Sequence, residues 1–473
     1  MKTNKIRRYS ILFFLLPALC ISYASVPASQ KNTYDIRKYG AKGDGKTINT
    51  KAINAAIEDC SSKGGGTVLI PKGKFLSGTI RLKSNITLYL DDEAVLKGTD
   101  VVSEYESYIP SKDLSKYDSG EGGDNANSSK DANWNKVLIL ASGISNFSIE
   151  GNGTVDGSHV YDPNGEEKMR GPHTIIIGES KNFSINNITV NCAANYALMA
   201  YEIQNAVFHN LEMNEGWDGI HIRGGKNIII RNCKFQTGDD AIAGGFWENM
   251  VITDCYLNTS CNGIRMIMPA TGLTISNCTF QGPGKYPHRT SKELRRTNML
   301  SAILLQPGGW GKASGKIEDV HIHDITIDNV NNPFMFILNE GNDANNIITE
   351  RVKATRINKY ASSIESWRGG FFDNVTFRDI SIDYVGSDNP ALKNIEIQQP
   401  EVDARALPCW GWFINNVRNI TFENVDLTYQ GNEIRPAFWF DNVANPTFIN
   451  VTYKEESNNN SIVSVKSGTI TKK

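Results

Sequence analysis

Asp218, Asp240 and Asn262 stand 22 residues apart, and each is followed by a small residue and an isoleucine: Gly219-Ile220, Ala241-Ile242 and Gly263-Ile264. Seven positions before each lies an apolar or sulfur residue, Leu211, Cys233 and Cys255. A fourth polar group, Asp239, adjoins Asp240 within TGDDAI at 237–242. If 22 residues make one turn of a coil, the first three residues form a column with a rise of roughly 4.8 Å per rung. Ile220, Ile242 and Ile264 then face inward as a second column, and His221, Ala243 and Arg265 face outward as a third. Asp218, Asp239 and Asp240 therefore crowd one patch. Like charges this close cannot all ionise, so one carboxyl holds a proton near neutral pH. A protonated carboxyl beside an ionised one is what hydrolysis of a glycosidic bond requires: an acid for the leaving oxygen, and a base or nucleophile for the other face. One-rung spacing is shorter than the separation usual in inverting enzymes and closer to that in retaining ones.

The elements that would carry these residues repeat along the chain. The pattern is a polar residue, apolar, any, apolar, any, Asn or Asp, then apolar or Cys, any, apolar. It reads NFSINNITV at 182–190, NIIIRNCKF at 227–235, MVITDCYL at 250–257 and GLTISNCTF at 272–280. It returns as DVHIHDITI at 319–327, NVTFRDISI at 374–382, NITFENVDL at 419–427 and PTFINVTY at 446–453. Alternation within each copy predicts a strand with one buried face. A period in the twenties predicts stacked coils. Three short parallel strands per coil fit it, so the fold class is all-β, a single-stranded right-handed parallel β-helix. A leucine-rich horseshoe fits less well, because the repeats have neither its leucine pattern nor a helical half. Cys233, Cys255 and Cys278 fall on one column and read as an internal stack of small side chains. At the N-terminal end, residues 50–60 carry apolar groups at helical spacing, with Gly64-Gly65-Gly66 soon after. That predicts a short helix capping the open first coil. Residues 103–134 are polar and rich in Gly, Ser and Asn, and read as a long loop.

The 473 residues carry 49 Lys plus Arg against 51 Asp plus Glu. That balance argues against a nucleic-acid partner, which would call for a basic excess. Lys5, Arg7 and Arg8 precede an apolar stretch over 11–23, and Ser22-Tyr23-Ala24 offers small residues where a signal peptidase reads. Residues 1–24 are thus expected to be a signal peptide and 25–473 a single β-helix domain, exported to the periplasm or secreted, with no membrane span. Seven cysteines follow residue 25, an odd number with no CxxC pair, which speaks against both a disulfide scaffold and a zinc site.

YGAKGDGKT at 39–47 with KAINAAI at 51–57, GGTVLIP at 65–71 and GNGTVDG at 151–157 resemble the polygalacturonase-type enzymes, glycoside hydrolase family 28. The resemblance covers nearly all of 25–473, although its N-terminal block is shared with other β-helix carbohydrate enzymes and so implies fold more than reaction. Gly216-Trp217-Asp218 stands where the family has Asn-Thr-Asp, and Gly238-Asp239-Asp240 matches its Gly-Asp-Asp. The resemblance implies that Asp239 is the general acid, that Asp218 and Asp240 position the water, and that configuration is inverted. Two departures follow. The family's Gly-His-Gly falls at Cys261-Asn262-Gly263, where an amide can donate a hydrogen bond but cannot carry charge. Its Arg-x-Lys pair is absent from the expected coil.

Asn262, Arg265, His221 and Trp217 are the candidate substrate contacts. His221 can return an imidazole to the cleft or be an exposed strand residue. Arg265 can meet a carboxylate or hydroxyl, and Trp217, Trp247, Trp310 or Trp367 can stack on a sugar. An insertion at 281–300 with Lys285, His288, Arg289, Lys292, Arg295 and Arg296 either supplies cations over the cleft or is a solvated loop. The expected activity is an exported, monomeric glycosidase on galacturonan, rhamnogalacturonan or a similar polysaccharide, without metal or cofactor. The rivals are a lyase or epimerase on the same fold, using Arg265 as base and the Asp cluster for calcium, and a non-catalytic glycan-binding solenoid.

Overall fold

A computed structural model describes residues 32–118, 128–290, 295–455 and 461–473. The proposed signal peptide lies outside the described residues. From Asn32 onward the chain winds as a parallel β-helix in which each strand pairs with its equivalent one coil earlier and later. Five strands carry the site: β1 (Leu198–His209), β2 (Ile220–Arg231), β3 (Ile242–Thr253), β4 (Asn262–Met266) and β5 (Ser301–Leu305). Their register agrees with the 22-residue period: Leu198 pairs with Ile220, Ile220 with Ile242, and Ile242 with Ile264. The next step, Ile264 to Ile303, is longer because the insertion intervenes. All four isoleucines of the inward column, Ile220, Ile242, Ile264 and Ile303, are fully buried. His221, Ala243, Arg265 and Leu304 form the outward column.

The polar residues that begin each repeat have a structural job. Asn146, Asn182, Asn205, Asn227 and Asn249 turn successive corners with φ between 53° and 58°. Asparagine tolerates that left-handed conformation better than other side chains bearing a Cβ. Their amides chain from coil to coil, Nδ2 of each donating to Oδ1 of the one before at 2.9–3.4 Å. Asn205→Ala breaks two links and leaves alanine in the left-handed region. It is expected to cost about 1–2 kcal/mol, read as a lowered urea midpoint with an unchanged slope.

The cap forms as the apolar spacing predicts. Helix α1 (Thr50–Ser62) buries Ile53, Ala56, Ile57 and Cys60 against the first coil. It ends before Gly65, whose φ is +103° and where a Cβ would come within 2.3 Å of Asn85 O. Cys233, Cys255 and Cys278 are buried and unpaired, each thiol donating to a backbone carbonyl two residues earlier at 3.1–3.2 Å.

The 103–134 segment differs from expectation. Its described part turns Tyr108, Leu114, Tyr117 and Trp134 onto the outside of the sheet, where they pack with Ile176, Met199, Tyr201 and Trp217. These four large apolar or aromatic groups among the polar ones were enough to make it a second packed layer. No helix among the described residues is long and apolar enough to cross a membrane.

Candidate active site

Asp218, Asp239 and Asp240 lie in turns that enter β2 and β3. Thr237 holds the Asp239-Asp240 turn, its hydroxyl donating to both their carbonyls at 3.1 and 3.4 Å. Thr259 repeats that bond one coil later, to Asn262 O at 3.1 Å. Gly238 is required by close approach, since a Cβ there would meet Gly216 O at 2.5 Å. All three carboxyls line one pocket of about 230 Å³, together with His221, Arg265, Arg170, Tyr196, His288, Trp310 and Asp403.

Each carboxyl has its own polar neighbour. His221 Nδ1 lies 2.7 Å from Asp218 Oδ2. Asn262 donates to Asp240 Oδ1 from both its backbone N–H and its Nδ2, at 2.9 Å each, and Arg265 lies 3.6 Å from Asp240 Oδ2. His288 Nε2 lies 3.4 Å from Asp239 Oδ2. The backbone N–H of Thr290 donates to His288 Nδ1, which directs the Nε2 hydrogen toward Asp239. The insertion that brings His288 is pinned by Asn258 and Ser260, which donate to the carbonyls of Gln281, Pro283 and Tyr286 at 2.5–2.7 Å.

The electrostatics split the trio. Burial, and then the charges of Asp239 and Asp240, push the Asp218 carboxyl well above the usual range. Burial also raises Asp240, against the pull of Arg265. Burial acts on Asp239 too, but His288, Arg170 and Arg265 outweigh it and hold that carboxyl low. These surroundings favour the shared proton on the Asp218–Asp240 side. Glu166 at the pocket wall is pushed up to about 6, chiefly by burial.

Two of the four expected substrate contacts, Trp217 and Asn262, lie outside the pocket lining. Trp217 is 1% exposed. It is sealed beneath the Arg170 guanidinium, 3.5 Å from its ring centre, and edge-on to His288. Asn262 is fully buried behind Asp240 and touches that carboxylate rather than the pocket. Asn262→Ala is accordingly expected to lower kcat by about 10- to 100-fold while KM stays within twofold, a split that steady-state kinetics resolves. His221 and Arg265 do line the pocket, and the open reading of His221 as an exposed strand residue is excluded by its 4% exposure. Arg265 is already engaged, bonded to Val402 O at 2.6 Å and lying over Trp310. Trp247 is buried and donates to Ile222 O.

The insertion brings His288 and Arg296 to the pocket, while Arg289 turns away to His159. Sequence reasoning missed Tyr196 and Arg223, although both were within reach of it. Tyr196 is 22 residues before Asp218, hence in the same column, and Arg223 shares the outward face of β2 with His221. Arg170 and Asp403 had no such signal, because they sit on loops outside the repeat, whereas Trp310, one of the tryptophans expected to be able to stack on a sugar, does line the pocket.

The rival roles fit poorly. Arg265 is pushed further toward its charged form by Asp240 and Asp403 despite burial, the opposite of what a base needs. Arg170, Arg265 and His288 surround the carboxyls and oppose a calcium ion there.

A parallel β-helix with a carboxyl trio, two members buried and the third half-buried, in an outward-facing pocket defines a class of carbohydrate-active solenoid. Residues 33–285, more than half of the chain, match the family model described as "Rhamnogalacturonase A/epimerase, pectate lyase-like", and the chain belongs to that family. It is 24% identical over 411 residues to a polygalacturonase of Nicotiana tabacum, covering 80% of this chain and 92% of that one. An exo-poly-alpha-D-galacturonosidase of Dickeya chrysanthemi is 27% identical over 259 residues, 44% of this chain and 41% of its own. Among solved structures, an exopolygalacturonase of Thermotoga maritima superposes with a TM-score of 0.62 at 18% identity, covering 85% of this chain and 93% of that one. A family 28 exopolygalacturonase of Yersinia enterocolitica gives 0.57 at 18% identity, with 93% and 78% covered. At these identities the superpositions speak to the fold alone.

Proposed function

We propose that the protein is an exported glycoside hydrolase that removes residues from the ends of a pectin-like, uronate-containing polysaccharide. The observation that carries the reading is the trio of Asp218, Asp239 and Asp240 at the wall of a pocket bordered by loops from outside the repeat, Trp310 among them. Glu166, Glu167 and Arg170 come from 157–172, His288 and Arg296 from the insertion, and Val402 and Asp403 from 395–411. A volume of about 230 Å³ lies below the roughly 300–1,000 Å³ of sites that enclose a drug-sized ligand. Such a recess suits a terminal sugar rather than the interior of a chain. Family membership and relatives named for polygalacturonase activity support the substrate class.

In the reaction, water attacks the anomeric carbon, the bond to the glycosidic oxygen breaks, and that oxygen takes a proton from Asp239. The proton lost by the water passes to Asp218 or Asp240. Asp239 receives its proton from the pair beside it, one rung or less away, as the substrate's own charge enters. The resemblance favours inversion, although oxygens of Asp239 and Asp240 lie within 4.8 Å of one another.

Incubation with polygalacturonan and rhamnogalacturonan tests the reading. Monosaccharide release with little loss of viscosity is expected, with the first-formed anomer read by proton NMR. A rapid fall in viscosity would refute end-wise action, and a product absorbing near 235 nm would make the protein a lyase. Export is checked by N-terminal sequencing of secreted material, with a start near Ser25 expected, and the monomer by light scattering.

A further inference from the structure

His221 is packed on all sides but the one that faces the pocket. Tyr196, from the coil before, stacks on its ring at 4.9 Å and 8°. His173 lies behind Tyr196, ring centres 5.2 Å apart. Asp218 faces Nδ1 at 2.7 Å, and the Arg223 Nε–H points at Nε2 from 3.2 Å. Asp239 and Arg265 face it across the pocket.

A guanidinium has no acceptor, so Arg223 is the donor in its bond to Nε2. Nε2 must then offer its lone pair, and the single hydrogen of a neutral ring sits on Nδ1, aimed at Asp218 Oδ2. The reverse arrangement, with Asp218 donating from Oδ2, would leave the ring with no hydrogen at all. From this geometry we infer that Arg223, His221 and Asp218 form a one-way donor chain, in which His221 is a positioning residue that holds Asp218 as the proton acceptor of the reaction. The inference rests on the proposed hydrolytic reading of the trio for its kinetic consequence but not for its tautomer.

The chain answers a problem the site creates. Burial and the two neighbouring carboxylates press Asp218 to stay protonated, in which state it cannot take a proton from water. A donor fixed on Oδ2 favours the ionised form. Burial and then Arg223 disfavour a second proton on the imidazole. His221 thus supplies a hydrogen bond without adding a charge that would neutralise its partner.

Two measurements on the full-length protein test this. The first is nitrogen NMR with labelled histidine, assigned by loss of the signal in His221→Phe. A ring protonated on Nδ1 only, constant from pH 5 to 8, is expected; an Nε2–H tautomer, or titration to the imidazolium in that range, would overturn the inference. The second is kinetics on whichever pectic substrate the wild type hydrolyses. His221→Phe keeps a ring on Tyr196 but cannot donate. It is expected to lower kcat by about 10- to 100-fold, leave KM within twofold and move the acid limb of kcat/KM up by about one pH unit. His221→Asn, whose amide can donate to Asp218 and accept from Arg223, is expected to recover most of the loss and return the limb. Wild-type kcat and an unmoved limb in His221→Phe would sink the inference, as would a change confined to KM, which would make His221 a substrate contact. Should the wild type hydrolyse nothing, the proposed function fails while the tautomer measurement still decides this point.

Discussion

Asp239→Asn is expected to lower kcat by about 10³- to 10⁴-fold with KM within a few-fold of wild type. The amide is the same size, can still accept from His288, and leaves the pocket wall in place, so what disappears is the proton that the leaving oxygen must take. Binding, measured by calorimetry with an oligosaccharide, is expected to persist. The result also tests where the proton travels, because the surroundings of Asp239 favour its ionised form in the open site. Turnover within tenfold of wild type would remove Asp239 from the acid role and leave Asp218 or Asp240 to fill it.

The second large effect is on stability, and it has opposite signs at two members of the trio. The folded-state carboxyl of Asp218 is raised above its unfolded value. Between the unfolded and folded values the native state holds more protons than the unfolded chain, so this group's contribution to stability falls as pH rises through that window. At pH 7 a buried, crowded carboxylate is therefore a burden, and Asp218→Asn is expected to raise stability by about 1–4 kcal/mol while abolishing turnover. Asp239 is the reverse case, its folded value held low. Its contribution is present above the unfolded carboxylate value and is lost as pH falls through the folded one. Asp239→Asn is expected to lower the unfolding midpoint at pH 7. Urea denaturation of both variants at pH 7 and pH 4 checks the signs. A loss of stability in Asp218→Asn at pH 7 would show that the bond from His221 outweighs the crowding. Because the carboxyls interact, the double variant is expected to depart from the sum of the single ones.

Much of the molecule was legible from the chain alone, for a simple reason. A solenoid repeats one local solution, so a residue's place in the period determines both its face and its neighbours one coil away. The inward isoleucines, the stack of Cys233 and Cys255 and the shared column of Asp218 and Asp240 all follow from counting in 22s, and the capping helix follows from apolar groups at helical spacing. Tyr196 and Arg223 were legible too, by the same counting and by strand alternation.

What counting could not reach was decided by contacts between segments far apart in sequence. Trp217 faced the pocket by position, but Arg170 covers it from a loop whose path no period describes. Asn262 stood in the column of carboxylates, yet its amide was drawn behind Asp240, because a buried carboxylate needs donors more than the pocket needs another polar wall. His288 and Asp403 reach the site only because the insertion and the 395–411 loop fold back over earlier coils, Asp403 lying 138 residues from its partner Arg265. Sequence alone determined the scaffold and the column of acids, since both depend on short-range repetition. Tertiary structure decided which groups neighbour each carboxyl and what closes the pocket, since those depend on loops whose course is set by long-range packing.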